Sequence, residues 1–416
     1  MSNQLPSMAW RNLWRNRRRT LITLSSIAFG TMLAILFTGM GDSNFSGMID
    51  LAARLGGGHV TLQHPEYLEL PTVGRSVQGA SRLREIALAD PQVERAVLRI
   101  TGNVMVSSAE QSQGAGFIAF DPEAEDTTTL SLLDAVDAGE LFASASDRGI
   151  VLGAGLADKL GVAVGKKVVY TLTDKRGEIV QEAARVIGLV RTGAPSVDAG
   201  LCLLPLDRVR KLLGYGDDEV LQVALFLRDQ RAAEATAARL SGRVGPSVAA
   251  LPWFVVQPEL SGFIAMKVAS ARILELIIML LVAAGIFNTL FMSVMERLRE
   301  FGIMIAIGFS PGHLFRLVMW ESLWLALVGL ALGALVTAGP YWYLAEVGVD
   351  VAAAANVDTA GSEVAGVAMS PVLHVGIYAD HLLAIVTAAL VATLAAGLYP
   401  AWSAGRVAPV ESIRIV

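Results

Sequence analysis

A single cysteine, Cys202, stands in a chain of 416 residues, so no disulfide closes within the chain and a cysteine-based zinc site is excluded. The five histidines, His59, His64, His313, His374 and His381, include neither an HExxH pattern nor an i, i+4 pair. Metalloprotease chemistry therefore lacks its ligands. Charge is scarce: Asp, Glu, Lys and Arg make up 17% of the residues, against about 25% in an average soluble domain. Basic residues do not predominate either, since the net charge is -5, and a nucleic-acid face, which needs a basic excess, is excluded. No G-x-S-x-G nucleophile elbow occurs, and no polar cluster inside the apolar runs suggests intramembrane catalysis.

Two stretches imitate nucleotide sites and fail on chemistry. Gly161-Val162-Ala163-Val164-Gly165-Lys166-Lys167 has three residues between its glycines where a P-loop has four, and a lysine where Ser or Thr would meet magnesium. Gly153-Ala154-Gly155-Leu156-Ala157-Asp158 places an aspartate at the third glycine of a dinucleotide fingerprint. Both are expected to be turns with a short helix.

What the chain has in abundance is apolar sequence: 54% of residues are hydrophobic and mean hydropathy is +0.54. Four runs, 21–41, 272–295, 314–338 and 382–402, reach the roughly 20 apolar residues that a helix needs to cross a hydrocarbon core of about 30 Å. Orientation follows from the basic residues beside them. Arg11, Arg15, Arg17, Arg18 and Arg19 precede the first run, Arg297, Arg299 and Arg316 lie between or at the edges of the second and third, and Arg406 and Arg414 follow the fourth. By contrast 339–381 has no Lys or Arg but holds Glu346, Asp350, Asp358, Glu363 and Asp380. Both termini are thus expected in the cytoplasm. The first run is longer than a signal-peptide core and ends in Thr38-Gly39-Met40-Gly41-Asp42, which is no A-x-A cleavage site.

The expected organisation is an α-helical membrane protein with four transmembrane helices and a large α+β domain between helices 1 and 2. In order it comprises an interfacial helix at 1–20, with Trp10 and Trp14 among arginines, a span at 21–41, and an extracytoplasmic α+β domain with helical stalks at both ends at 42–271. Then come a span at 272–295, a cytoplasmic loop at 296–313, a span at 314–338, an outer loop at 339–381, a span at 382–402 and a cytoplasmic tail at 403–416. Within the domain, strands are predicted at 59–63, 104–106, 117–120, 168–173, 184–190 and 221–227, and helices at 80–89, 206–213 and 230–240. A helix from Met8 to Leu55 would be on the order of 70 Å long, with Gly30, Gly39 and Gly41 as bend points. The residues alone leave 296–302 open between a partner-binding loop with an exposed Phe301 and a solvated charged face.

Two stretches carry a family resemblance: Glu296-Arg297-Leu298-Arg299-Glu300-Phe301-Gly302 with Ala306 and Gly308, and Tyr399-Pro400-Ala401-Trp402 followed by Pro409-Val410-Glu411-Ser412-Ile413-Arg414. They are similar to the ER-x-REFG and YPAW...PVE motifs of the FtsX/MacB/LolC-LolE permeases of ABC transporters. Trp10-Arg11-Asn12-Leu13-Trp14, Gly58-His59-Val60 and Phe287-Asn288-Thr289 add to the likeness, and the chain departs from it at Ile305, where many relatives carry Arg. The resemblance implies a bacterial inner-membrane permease whose inserted domain is MacB-like and periplasmic. It also implies two separate ABC ATPase subunits that bind the ATP and Mg, this chain holding no cofactor, and a second permease subunit, identical or homologous. Arg297, Arg299, Glu300, Phe301 and Gly302 would form the coupling helix that meets the ATPase. The lipoprotein-release members fit best, with lipids, lipoprotein and a periplasmic carrier or adaptor as further partners. A MacB-like efflux pump and an FtsX-like signalling module controlling a cell-wall hydrolase are the alternatives. Phe37, Phe45, Met48, Ile49, Phe263, Ile264 and Met266 are candidates for an apolar substrate path or a dimer interface, or for simple stalk packing.

Overall fold

The computed structural model describes residues 4–350, 353, 362–368, 370 and 372–406. The readings placed on Asp358, on the closing motif at 409–414 and on most of the tail at 403–416 fall outside them. The chain divides into two units: Met1–Asn44, Met266–Ala355 and Val372–Val416 form the first, Phe45–Ala265 and Asn356–Pro371 the second.

Among the described residues, four helices are long and apolar enough to cross a membrane. They are Arg17–Leu55, Pro258–Glu296, Pro311–Glu346 and Ala379–Ala404, named here the first to fourth long helices, and they contain the four runs read above. Apolar runs of this length become helices because in hydrocarbon every backbone N–H and C=O must find its partner within the segment. The first and second hold 39 residues each, on the order of 58 Å at 1.5 Å per residue. The helix expected from Met8 to Leu55 is helical throughout but changes type once. A 3-10 turn at Trp14–Asn16 separates a short helix, Leu5–Leu13, from the first long helix, and the Thr20 hydroxyl donates to the Leu13 carbonyl (2.5 Å) that the turn releases. Gly30, Gly39 and Gly41 instead sit in uninterrupted helix. Within this unit Leu24 and Ile27 pack with Ile286, Leu290 and Leu325. A Cβ on Gly329 would lie 2.7 Å from the Ile27 side chain, so the first and third long helices approach through a residue without one.

The second unit is built on a ten-stranded mixed sheet. In chain order its strands and those of a small two-stranded ribbon are β1 (Val60–Gln63), β2 (Val77–Gln78), β3 (Val93–Ser107), β4 (Ser112–Phe120), β5 (Val136–Gly139), β6 (Gly149–Gly153), β7 (Lys167–Thr173), β8 (Ile179–Val190), β9 (Leu201–Pro205), β10 (Glu219–Val220), β11 (Gln222–Leu227) and β12 (Ala249–Pro252). The order across the sheet is β12-β1-β11-β3-β4-β9-β6-β8-β5, while β2 pairs only with β10. Because β7 pairs with both β3 and β8, the path β3-β4-β9-β6-β8-β7 returns on itself, so each of these six strands has a partner on both sides, and β12 and β5 are the ends of the sheet. The fifteen-residue β3 links the two halves: Val93–Arg99 pair with β11 and Ile100–Ser107 with β4. Helices Ala80–Leu88, Leu206–Leu213 and Ala233–Val244 bury Leu83, Val209 and Leu240 on the sheet, and Cys202 lies wholly buried on β9.

Both nucleotide look-alikes have structural explanations. A Cβ on Gly153 would stand 2.3 Å from the Asp198 carbonyl oxygen, so the glycine lets the end of β6 approach the backbone of the short helix Pro195–Asp198. Gly161, at φ 66°, ends the helix Ala154–Leu160 in the left-handed region.

Where the first long helix ends, Gly58 adopts φ 78° and donates to the Ala53 carbonyl (3.0 Å). His59 follows, wholly committed: its Nδ1 accepts from the Leu227 amide (3.0 Å), which leaves the proton on Nε2 to be donated to Asp50 (2.8 Å). Beneath it the buried Arg99 grips Glu125 through two bonds of 2.7 Å, donates to the Thr129 carbonyl (2.6 Å) and to that of Gly56. Elsewhere in the unit, Arg239 donates to both carboxylate oxygens of Asp90 (2.8 and 2.9 Å). These bonds outweigh desolvation and hold the Asp90 carboxyl below its ordinary 3.8. A carboxylate depressed on folding contributes stability above its unfolded value and loses it as pH falls through the folded one. Asp90→Asn is therefore expected to lower stability at pH 7 and flatten the acid limb below about pH 4, as read from unfolding curves between pH 2 and 7.

Candidate functional site

The densest set of polar links in the first unit lies around the segment joining the second and third long helices. The second ends at Glu296, Arg297 leaves helical geometry, and a short helix runs from Leu298 to Ala306. Gly308, at φ 107°, stops it, and Ser310 and Pro311 open the third long helix. The short helix has two faces. One buries Phe301 completely against Val294, Leu314, Val318, Ala401 and Ala404, with Gly302 beside it. The other exposes Arg299 and Ile303, with Ile307 at its C-cap, at steps of four residues, Ile307 being 75% exposed, a stripe that no described residue covers.

The helix Leu5–Leu13 packs on the start of the third long helix. Leu5 and Ala9 meet Leu317, Trp10 lies edge-on to Trp324 (5.2 Å), and the Trp324 indole donates to the Pro6 carbonyl (3.1 Å). This packing brings Asn12 to Glu321, which lies one turn beyond Leu317 and whose side chain is only 8% exposed.

Glu321 is the centre of the network. Its carboxylate accepts from Asn12 Nδ2 (2.9 Å) and twice from Arg297 Nη1 (2.9 and 3.1 Å). Arg297 also donates to Glu300 (3.3 Å) and lies over the Phe301 ring, 5.0 Å from its centre. Glu300 in turn pairs with Arg15 (2.6 Å), and Glu296 with Arg19. A cleft of ≈ 40 Å³ lined by Asn12, Asn16, Arg19, Thr20, Ser293 and Glu321 adjoins the carboxylate. Among the described residues no group of His, Cys, Asp and Glu is arranged to hold a metal ion.

Two family models match the chain side by side: the MacB-like periplasmic core domain over residues 20–243 and the FtsX-like permease C-terminal domain over 272–409. The chain belongs to the FtsX-like permeases that carry a MacB-like domain. The permease is 25% identical over 338 residues to the lipoprotein-releasing system transmembrane protein LolC of Xylella fastidiosa, a match covering 79% of each chain. It is 22% identical over 428 residues to LolE of the same kind of system in Haemophilus influenzae, covering 97% of each. Among solved structures, the periplasmic region of MacB from Actinobacillus actinomycetemcomitans aligns at 13% identity with a TM-score of 0.35, over 52% of the permease and 98% of that chain. The permease is thus of the ABC-transporter type represented by LolC, LolE and MacB.

The expected coupling residues separate in the structure. Arg297 and Glu300 are tied into the network and Arg299 is free of it, but Phe301 and Gly302 are buried. Phe301 is therefore not the exposed anchor expected: Ala401 and Ala404 of the fourth long helix cover it. The apolar candidates separate too. Phe37 and Met266 are exposed, Phe45, Ile49 and Phe263 half-buried, and Met48 and Ile264 buried, which removes the last two from any surface open to cargo. Glu321 and Asn12 were missed. A lone carboxylate within the run 314–338 was the available signal, since charge inside a span is rare and paired.

Proposed function

We propose that the permease couples ATP hydrolysis by two separate ABC ATPase subunits to work on its extracytoplasmic side, and that this work is the extraction of lipoproteins from the inner membrane. The near-complete span of the LolE match carries the reading, 97% of each chain. The arginine bias supports cytoplasmic termini with the MacB-like domain in the periplasm. A second permease, identical or homologous, completes the complex, and a periplasmic carrier takes the cargo. On this reading Leu298–Ala306 is the coupling helix and its Arg299, Ile303 and Ile307 stripe is the face that meets the ATPase, Arg299 orienting and the isoleucines filling a socket.

Extraction has a physical requirement. Each buried CH₂ of an acyl chain resists transfer to water by about 0.8 kcal/mol, so a lipoprotein must leave along a sheltered apolar surface. Phe37, 39% exposed, and Met266, 58% exposed, are the candidates that remain open. A photocrosslinking amino acid at Phe37 or Met266, activated in native membranes, is expected to capture acylated lipoprotein. Capture of a second permease copy alone, from both positions, would refute the cargo.

A further inference from the structure

Glu321 is a buried carboxylate that the coupling face does not use directly, and its partners come from two separate parts of the chain. Arg297 is the first residue after the second long helix, and Asn12 lies 309 residues away from Glu321 in sequence, on the amino-terminal helix. We propose that Glu321 is a positioning residue that locks the helix Leu5–Leu13 and the coupling segment into one body, so that any displacement of the segment carries the amino-terminal helix with it. The proposal rests on the coupling role given to Leu298–Ala306 for its functional meaning, not for its geometry.

Three observations support it. First, Arg297 is held by two contacts at once, its hydrogen bonds to Glu321 and the Phe301 ring 5.0 Å from its guanidinium carbon, which together restrict its orientation. Second, both oxygens of Glu321 are engaged by Arg297, and Asn12 shares Oε1. Removing the charge strands a largely buried arginine, which is costlier than never having had the pair. Third, the neighbouring links Arg15–Glu300 and Arg19–Glu296 start beyond the helix Leu5–Leu13, in the 3-10 turn and the first long helix, and their carboxylates are 40% and 49% exposed; pairs open to water contribute little. Glu321 is thus the one link of the three positioned to fix the register.

The test uses the full-length chain in native membranes and needs neither ATPase nor cargo. Arg15→Cys with Glu300→Cys removes the exposed Arg15–Glu300 link and the 3.3 Å contact of Glu300 with Arg297, leaves Glu321 as the acceptor of Arg297, and places two thiols at the bases of the paired side chains, to be bridged by a short bismaleimide. With Glu321 intact, bridging is expected to be efficient. Adding Glu321→Gln is expected to cut the bridged product about fivefold, while Arg316→Gln, a nearby exposed arginine outside the network, leaves it unchanged. Exchanging the pair, Arg297→Glu with Glu321→Arg, is expected to restore bridging to within about twofold, because Asn12 can turn its carbonyl toward a guanidinium. Undiminished bridging in Glu321→Gln, or no restoration by the exchange, would overturn the proposal. If Glu321→Gln does not accumulate in the membrane, the exchange is read alone: parent-like bridging supports the clasp, and its loss refutes it. Loss of the clasp with lipoprotein capture intact would defeat this inference only, and the converse would defeat the cargo only.

Discussion

Glu125→Ala is expected to lower the unfolding free energy of the MacB-like domain by about 3–5 kcal/mol, the cost of leaving a buried charge without its partner. Arg99 is wholly buried and four of its bonds depend on its place: two to Glu125, one each to the Thr129 and Gly56 carbonyls. Without the carboxylate the guanidinium still holds both carbonyls but keeps an uncompensated charge in the interior. Arg99→Met with Glu125→Leu should cost less than the single change, since no charge remains buried. It should not be neutral, because two carbonyls lose their donor at about 1–3 kcal/mol each where they stay dry. Urea-dependent proteolysis of the domain in the detergent-solubilised chain orders the three variants. A single variant within about 1 kcal/mol of the parent would show that the pair is replaceable by water.

The second large effect separates the two faces of the short helix. Phe301→Ala empties a closed apolar site and is expected to cost about 3–5 kcal/mol, visible as early thermal unfolding of the first unit and faster proteolysis after Leu298. Phe301→Leu, which keeps most of the volume, should recover the greater part. Ile307→Asp acts in the opposite way: on a side chain 75% exposed it should leave stability within about 0.5 kcal/mol, yet, if the proposed coupling face is right, reduce co-purification of an ABC ATPase at least about tenfold. The dissociation matters more than either number. Were Phe301→Leu to abolish ATPase binding in a stable chain while Ile307→Asp bound normally, the assignment of faces would be reversed.

Length and hydropathy made the four long helices readable, because twenty apolar residues in lipid have one regular way to satisfy their backbone. The strands were legible where alternation was clean: the run at 221–227 differs from β11 only by its first residue. The first half of β3 was not, since Arg95 and Arg99 interrupt the apolar pattern, and what buries Arg99 is a carboxylate 26 residues away. The same limit explains Phe301. A nine-residue amphipathic helix shows that one face is apolar, but the alanines that cover it lie about a hundred residues downstream, and no local pattern names them. Glu321 was the opposite case, visible as a charge in an apolar run. Its partner Asn12, however, becomes a neighbour only when the amino-terminal helix folds back onto the third long helix.

Cys202, the second residue of β9, has no accessible surface, and burial pushes its thiol far above the range in which a reactive thiolate forms. To maleimides and nitroxide reagents the native permease is therefore silent. Any label that attaches to the folded chain reports from a site the experimenter chose, so paired spin labels can follow its helices through a nucleotide cycle without first stripping the natural sequence.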